Sequence, residues 1–195
     1  TLLFLKKLHA IDISVQLPND QYEILVEKSI QADSESSYIV DLTYLKRSKG
    51  VEDTIRTSRY WVTEIEYAKP DHVNHEKRVD ILSRPVSIAI PLTSDVSADE
   101  SQGKLFAYLP VRDGTGLPFI INADFLLASS REEVKVDEEW NQWLRDCVAE
   151  TYTTAFLRIL SSSNLSFAEK VMAYGSIPLE SHYPFLKSIV PEIQQ

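Results

Sequence analysis

Residues 103–134 read GKLFAYLPVRDGTGLPFIINADFLLASSREEV, and this stretch divides the chain by structural type. Lys104–Leu109 and Pro118–Ala128 are rich in apolar and aromatic residues and predict two strands. Arg112-Asp113-Gly114-Thr115-Gly116 joins them, with Gly114 and Gly116 free to take the positive φ that a turn demands. After the second strand, Ser130-Arg131-Glu132 steps toward a helical pattern. Strands lie before this step and helices after it. That order predicts an α+β chain: a mostly antiparallel N-terminal sheet, then a long C-terminal helix and shorter helices. The same step sets Arg131 at the end of a buried apolar strand, where a planar cation can be aimed at a phosphate.

Upstream, Ala10–Leu17 alternates, with Ile11, Ile13 and Val15 on one face and Asp12 and Ser14 on the other. Pro18-Asn19-Asp20 is turn chemistry. Strands are predicted next over Tyr22–Ile30, Tyr38–Leu45, Thr54–Ala68 and Val86–Leu92, the third of these rich in Thr, Tyr, Trp, Val and Ile. The connections are too short for parallel crossovers, so an antiparallel meander is expected. Lys69–Lys77 is a polar loop, and Thr93–Gly103 an acidic, serine-rich connection.

Downstream, Asp137 is placed as an N-cap, with Glu138 and Glu139 at the positive end of the helix dipole, and the helix is expected to run to about Leu160. Trp140, Leu144, Cys147, Val148 and Thr151 recur at helical spacing and give one face to the sheet. Ser161–Asn164 interrupts the pattern. Ser166 then caps a second helix through Tyr174, with Glu169 completing a capping box. The tail, with Pro178, Pro184 and Pro191, has room for one short helix. The whole is read as one domain, 1–195, or as two closely packed lobes, 1–103 β-rich and 104–195 strands plus helices.

At 195 residues, 44% of them hydrophobic and 25% charged, the chain can bury a sizeable core. Its formal charge of -9 argues against a nucleic-acid groove, and the densest basic patch, Lys46-Arg47 with Lys49, suits a solvated turn. A single cysteine, Cys147, leaves no internal disulfide and reads as a small buried filler in a reducing, cytoplasmic setting. No apolar run approaches the roughly 20 residues of a membrane span. Thr1-Leu2-Leu3-Phe4-Leu5 is too short for a signal peptide, and Lys6 and Lys7 follow it where a signal carries its cations in front. Starting without Met, the chain is read as a piece excised from something longer.

Other constellations favour plain structural readings. His72-Val73-Asn74-His75-Glu76 matches neither order of the zinc-protease helix motif and follows Pro70-Asp71 in a loop, so no metal is expected. Ser129 and Ser130 lack the Gly-x-Ser-x-Gly frame of a nucleophile. Glu64 and Glu66 share one strand face, where solvent-facing alternation explains them better than a hydrolytic pair. Tyr60, Trp61 and Tyr67 read as sheet packing first and as a binding face second. No Walker-type loop occurs.

The order Leu105-Phe106-Ala107-Tyr108-Leu109-Pro110, Thr115-Gly116-Leu117-Pro118-Phe119, Asn122-Ala123-Asp124-Phe125, Ser130-Arg131-Glu132 and Trp140-Asn141 with Leu144 resembles a known pattern. It is similar to the segment following the nucleotide-binding domain in sacsin-like proteins, relatives of the ninety-kilodalton heat-shock chaperones of the GHKL ATPase class. Leu2-Leu3-Phe4-Leu5-Lys6-Lys7-Leu8, running into Ile11-Asp12-Ile13, looks like the same family's approach to that segment. The match is dense over Lys104–Leu144 and thin over Thr1–Ser14.

The resemblance implies a middle, transducer-like segment beside an ATPase domain that this chain does not contain. ATP and Mg²⁺ would sit in that neighbour, and the fragment itself would bind no cofactor and turn nothing over alone. Arg131 takes the place of the cation lent to the γ-phosphate, a rigid guanidinium fork that stabilises charge on a transferred phosphoryl group. Ser130 and Lys135 flank it as phosphate contacts, Lys135 also fitting a solvent-facing turn charge. Asn122 and Asp124 would order the loop that presents it. Protein clients are the implied cargo; nucleic acid and membrane are not. Two readings of Arg131 stay open, a phosphate sensor on an exposed loop or a member of a surface cluster locked by Glu132 and Glu133. The second goes with a non-catalytic interaction module built on the sheet face around Tyr60 and Trp61.

Overall fold

The computed structural model describes residues 2–5, 7–17, 20–48, 53–93 and 103–195. Pro18 and Asn19 of the first expected turn, Lys49 of the basic patch and residues 94–102 of the acidic connection lie outside the described residues. Alternating β-branched and aromatic residues form four long antiparallel neighbours: β1 (Ala10–Leu17), β2 (Asp20–Ser34), β3 (Ser37–Ser48) and β4 (Thr54–Ala68). Glu35 and Ser36 make the tight turn between β2 and β3. β5 (Ser83–Pro91) pairs antiparallel with β4. Up to this point the expected meander holds.

Beyond β5 it does not. The expected strand Lys104–Leu109 is two strands, β6 (Lys104–Ala107) and β7 (Leu109–Asp113), folded on each other at Tyr108. Tyr108 takes φ 64° there, and its N–H donates to Asn122 Oδ1 at 2.9 Å. The expected strand Pro118–Ala128 is only β8 (Ile120–Ala123). β8 inserts between β5 and β6 and runs parallel to β6, so the sheet order is β1-β2-β3-β4-β5-β8-β6-β7. The hairpin partner β7 and residues 114–119 supply the crossover that a parallel pair requires. Gly116, at φ 78°, passes so close to the tail that a Cβ would stand 2.7 Å from the His182 nitrogen.

α1 (Glu139–Ser161) lies across one side of the sheet. Trp140, Leu144, Val148, Tyr152 and Ile159 meet Trp61, Val86, Ile88 and Ile121 there, all nearly inaccessible; each such side chain contributes about 1.5–3 kcal/mol on burial. On the other side Val40, Tyr60, Val62, Ala89, Phe106 and Ile120 form a second cluster beneath Leu3 and Phe4. Tyr60 and Trp61 are thus buried on opposite sides of β4, 1% and 0% exposed. The binding face expected around them as an alternative does not exist, because each is core.

The helix starts differ from expectation in one case. Asp137 is not the N-cap of α1; Glu138 is, and its side chain makes no capping bond. α2 (Phe167–Tyr174) has the predicted capping box, Ser166 Oγ accepting the Glu169 N–H and Glu169 accepting the Ser166 N–H. The tail holds more than the one short helix expected: a 3₁₀ turn over Pro184–Ile189 runs into α3 (Val190–Ile193). Among the described residues no helix is long and apolar enough to cross a membrane.

Candidate functional site

Arg131 does not end a strand. β8 stops at Ala123, and Arg131 sits at the tip of a short hairpin-like loop on the way to α1. The stem is a single bridge, Leu127 with Val134, closed by Lys135 N–H to the Leu126 carbonyl at 3.0 Å and Ala128 N–H to the Glu133 carbonyl at 2.8 Å. Arg131 N–H donates to the Ala128 carbonyl at 2.9 Å, which turns the chain and places Arg131 at φ 61°. Arginine and Tyr108 are the two described non-glycine residues in this left-handed region, a conformation that costs on the order of 1–3 kcal/mol and gathers at functional loops. The side chain is exposed, and among the described residues it forms no ion pair with Glu132 or Glu133.

The loop stands on a buried polar base. Asn141, 0% exposed, accepts the Leu126 N–H through Oδ1 at 2.7 Å and donates through Nδ2 to the carbonyls of Leu126 and Lys135, each at 2.8 Å. One amide in the first turn of α1 therefore ties both ends of the loop. Asp124 is fastened just as firmly. Its carboxylate accepts from Arg78 Nη2 and Arg84 Nε, both at 2.7 Å, and its carbonyl accepts from Trp140 Nε1 at 2.8 Å. The Arg78 guanidinium lies 5.5 Å over the Trp140 ring. Charge-assisted bonds of this length to a buried carboxylate are among the strong ones, so the segment leading into the Arg131 loop is held rigidly.

The other expected site residues have local partners. Ser130 Oγ accepts the Glu132 N–H at 3.4 Å, within its own turn. Lys135 Nζ lies 3.5 Å from Glu138 on the surface, where such a pair is worth little. Asn122 is buried and serves the Tyr108 turn, away from the Arg131 loop. Arg78, Arg84 and Asn141 were not singled out as site-builders by the sequence. Asn141 carried a signal, as part of the Trp140-Asn141 step of the resemblance; the arginines carried none.

The remaining motifs resolve into structure. Val73 of the His72–Glu76 segment is buried, and among the described residues no group of three His, Cys, Asp or Glu side chains could hold a metal. Glu64 and Glu66 accept from Ser87 and Ser83 of the neighbouring strand. Cys147 is buried, and burial pushes its thiol up to about 12.

Comparison with known proteins reaches only part of the chain. It is 48% identical over 63 residues to the protein NO VEIN of Arabidopsis thaliana, covering 29% of this chain and 2% of that protein. It is 36% identical over 59 residues to sacsin of Homo sapiens, covering 30% of this chain and 1% of sacsin. No protein-family model matches the chain, and no solved structure does. A short segment is therefore similar to these two proteins, and the chain spans a very small share of the length of the relatives it matches.

Proposed function

We propose that this chain is a transducer-like segment of a sacsin-related multidomain ATPase, in which Arg131 contacts the γ-phosphate of a nucleotide held by a neighbouring domain. The observation that carries the reading is the Arg131 loop: an exposed guanidinium at left-handed φ on a base locked by Asn141 and Asp124. Residues held in this conformation cluster at functional sites, and here it presents one side chain outward. The Ser130-Arg131-Glu132 step, carried here by the loop that follows β8, resembles the GHKL-type pattern and points to phosphate as the ligand, and the similarity to sacsin over a short segment supports the setting.

In this reading the chain's own work is positional. The base holds the Cα of Arg131, the guanidinium docks when a triphosphate is present, and release follows hydrolysis, a two-state event biased by phosphate contact. Arginines supplied to nucleotide hydrolases in this way are worth about 10³–10⁵ in rate. Protein clients would be handled by other parts of the parent.

Trans-complementation tests it. The parent's nucleotide-binding segment, assayed alone and then with saturating amounts of this chain, should hydrolyse ATP faster with the wild-type chain and no faster with Arg131→Ala. Stimulation that survives Arg131→Ala would remove the arginine from the reaction.

A further inference from the structure

The outer sheet has two unlike sides. Directly paired residues share a face, so Ile11, Ile13 and Val15 of β1 stand beside Val26, Ile24 and Tyr22 of β2. Tyr44 and Lys46 of β3 continue the same face and pair with Arg56 and Thr54 of β4. The reverse side carries Asp12, Ser14, Glu23, Glu27 and Thr43 around a single apolar row of Leu25, Leu45 and the exposed Ile55. The apolar side lies open: Ile13 is 45% and Ile30 47% exposed, and the turn of Leu2–Leu5 occupies only its inner end. Beside that turn opens a cleft of about 430 Å³ walled by Leu2, Val26, Leu42, Tyr44, Arg56 and Ser58.

Two observations specify what fits there. From Tyr22 of β2 to Ser58 of β4, the charged residues on this face are Lys28, Lys46 and Arg56, all cationic, in a chain of net charge -9, while the register sets Asp20, paired with Leu17, at the outer end of the same face. Lys46 Nζ lies 4.7 Å over the Tyr22 ring, and among the described residues neither it nor Arg56 meets a carboxylate. Secondly, the inner end already shows how the face accepts a short apolar turn. Leu3 and Phe4 pack on the sheet, while Lys28 Nζ donates to the carbonyls of Leu2 and Leu5 at 3.2 and 2.5 Å.

We infer that the apolar face of β1–β3 is a docking surface for an amphipathic, acidic helix of a partner protein, its leucine-type side chains against Ile13, Ile24 and Val26 and its carboxylates toward Lys46 and Arg56. Apolar area supplies the affinity, and the two cations choose the partner's charge. This surface is independent of the Arg131 reading and can stand or fall alone.

The test uses the 195-residue chain and a labelled model helix of ~20 residues, long enough to be helical in water, with a leucine face and glutamate rim. A matched helix with a lysine rim and anionic phosphatidylglycerol vesicles are titrated alongside. The glutamate helix should bind at least about tenfold tighter than the lysine helix, weaken with salt, and lose about tenfold on Lys46→Glu with Arg56→Glu. Ile13→Lys should also abolish binding; if that variant unfolds by circular dichroism, the charge reversals at the exposed Arg56 and half-buried Lys46 decide. Equal binding of both helices, indifference to the charge reversals, preference for vesicles, or self-association through this face in sedimentation with no helix binding would each overturn the proposal.

Discussion

Asn141 and Leu126 exchange two hydrogen bonds, Oδ1 accepting the Leu126 N–H at 2.7 Å and Nδ2 donating to the Leu126 carbonyl at 2.8 Å. A side-chain amide here plays the part of a neighbouring strand, and a third bond to the Lys135 carbonyl closes the loop that carries Arg131. Asn141→Ala leaves these backbone groups without their partner in a part-buried site. Each buried group so orphaned costs about 1–3 kcal/mol, and relaxation of the loop recovers part of it. Urea unfolding should show a loss of ~2–4 kcal/mol, and hydrogen exchange should speed at the Leu126 amide. A loss under ~0.5 kcal/mol would show that the loop does not depend on this residue.

Asp124→Asn should be equally costly for a different reason. It removes the charge that two arginines share, and Arg78 and Arg84 are each only about a quarter exposed. Breaking one side of a buried pair costs about 3–5 kcal/mol; partial solvent access to both arginines brings the expectation to ~2 kcal/mol. Chemical denaturation of the variant checks this.

Arg131→Gly and Arg131→Ala should differ in stability although both delete the guanidinium. At φ 61° alanine keeps the left-handed strain and glycine relieves it, so the glycine variant should be more stable by ~1 kcal/mol. Equal midpoints in thermal unfolding would mean that the loop relaxes once the arginine is gone.

The Cys147 thiol should be nearly inert. Burial, with Glu150 and Asp146 nearby, pushes it up to about 12, so thiolate is scarce at pH 8 in the folded chain. Disulfide reagents should label it in urea and hardly at all in buffer. Because the folded thiol holds its proton more tightly than the unfolded one, stability contributed by this group is intact below the ordinary thiol range. It falls as pH rises above it toward 12.

At Glu169 the sign is reversed. Burial pushes its carboxyl up, but hydrogen bonds from the Ser166 side chain and backbone, with Arg59, outweigh burial and hold it below its ordinary value. The capping box should therefore hold above the ordinary carboxylate range and weaken as pH falls through the lowered folded value. Ser166→Ala should cost about 1 kcal/mol at neutral pH and flatten this acid dependence, as followed by helix signal against pH.

What could be seen in the sequence was local. β4 was legible with its bounds because Thr54–Ala68 is continuous in β-formers, and α2 because Ser166 and Glu169 spell its cap. The buried stripe of α1 followed from spacing alone. The β6–β7 hairpin was hidden because Tyr108 takes a turn conformation that Gly or Asn normally signals; only Pro110, tolerated on an outer strand, hinted at an edge. The parallel insertion of β8 depends on pairing with β5 and β6, which no local pattern records. At the candidate site Arg131 was visible as a motif residue, but its supports were not. Arg78 and Arg84 reach Asp124 from 46 and 40 residues away, and Asn141 reads as a polar helix residue until its loop partners are placed.

The most direct measurement is ATP turnover by the intact parent protein, wild type against Arg131→Ala and Arg131→Gly, with nucleotide affinity determined on the same samples. A rate loss of about a hundredfold or more in both variants, at unchanged affinity, is what a γ-phosphate contact made in the transition state predicts. Unchanged turnover in folded variants, or no turnover by the wild type, would contradict it and leave Arg131 as a strained surface residue without a catalytic part.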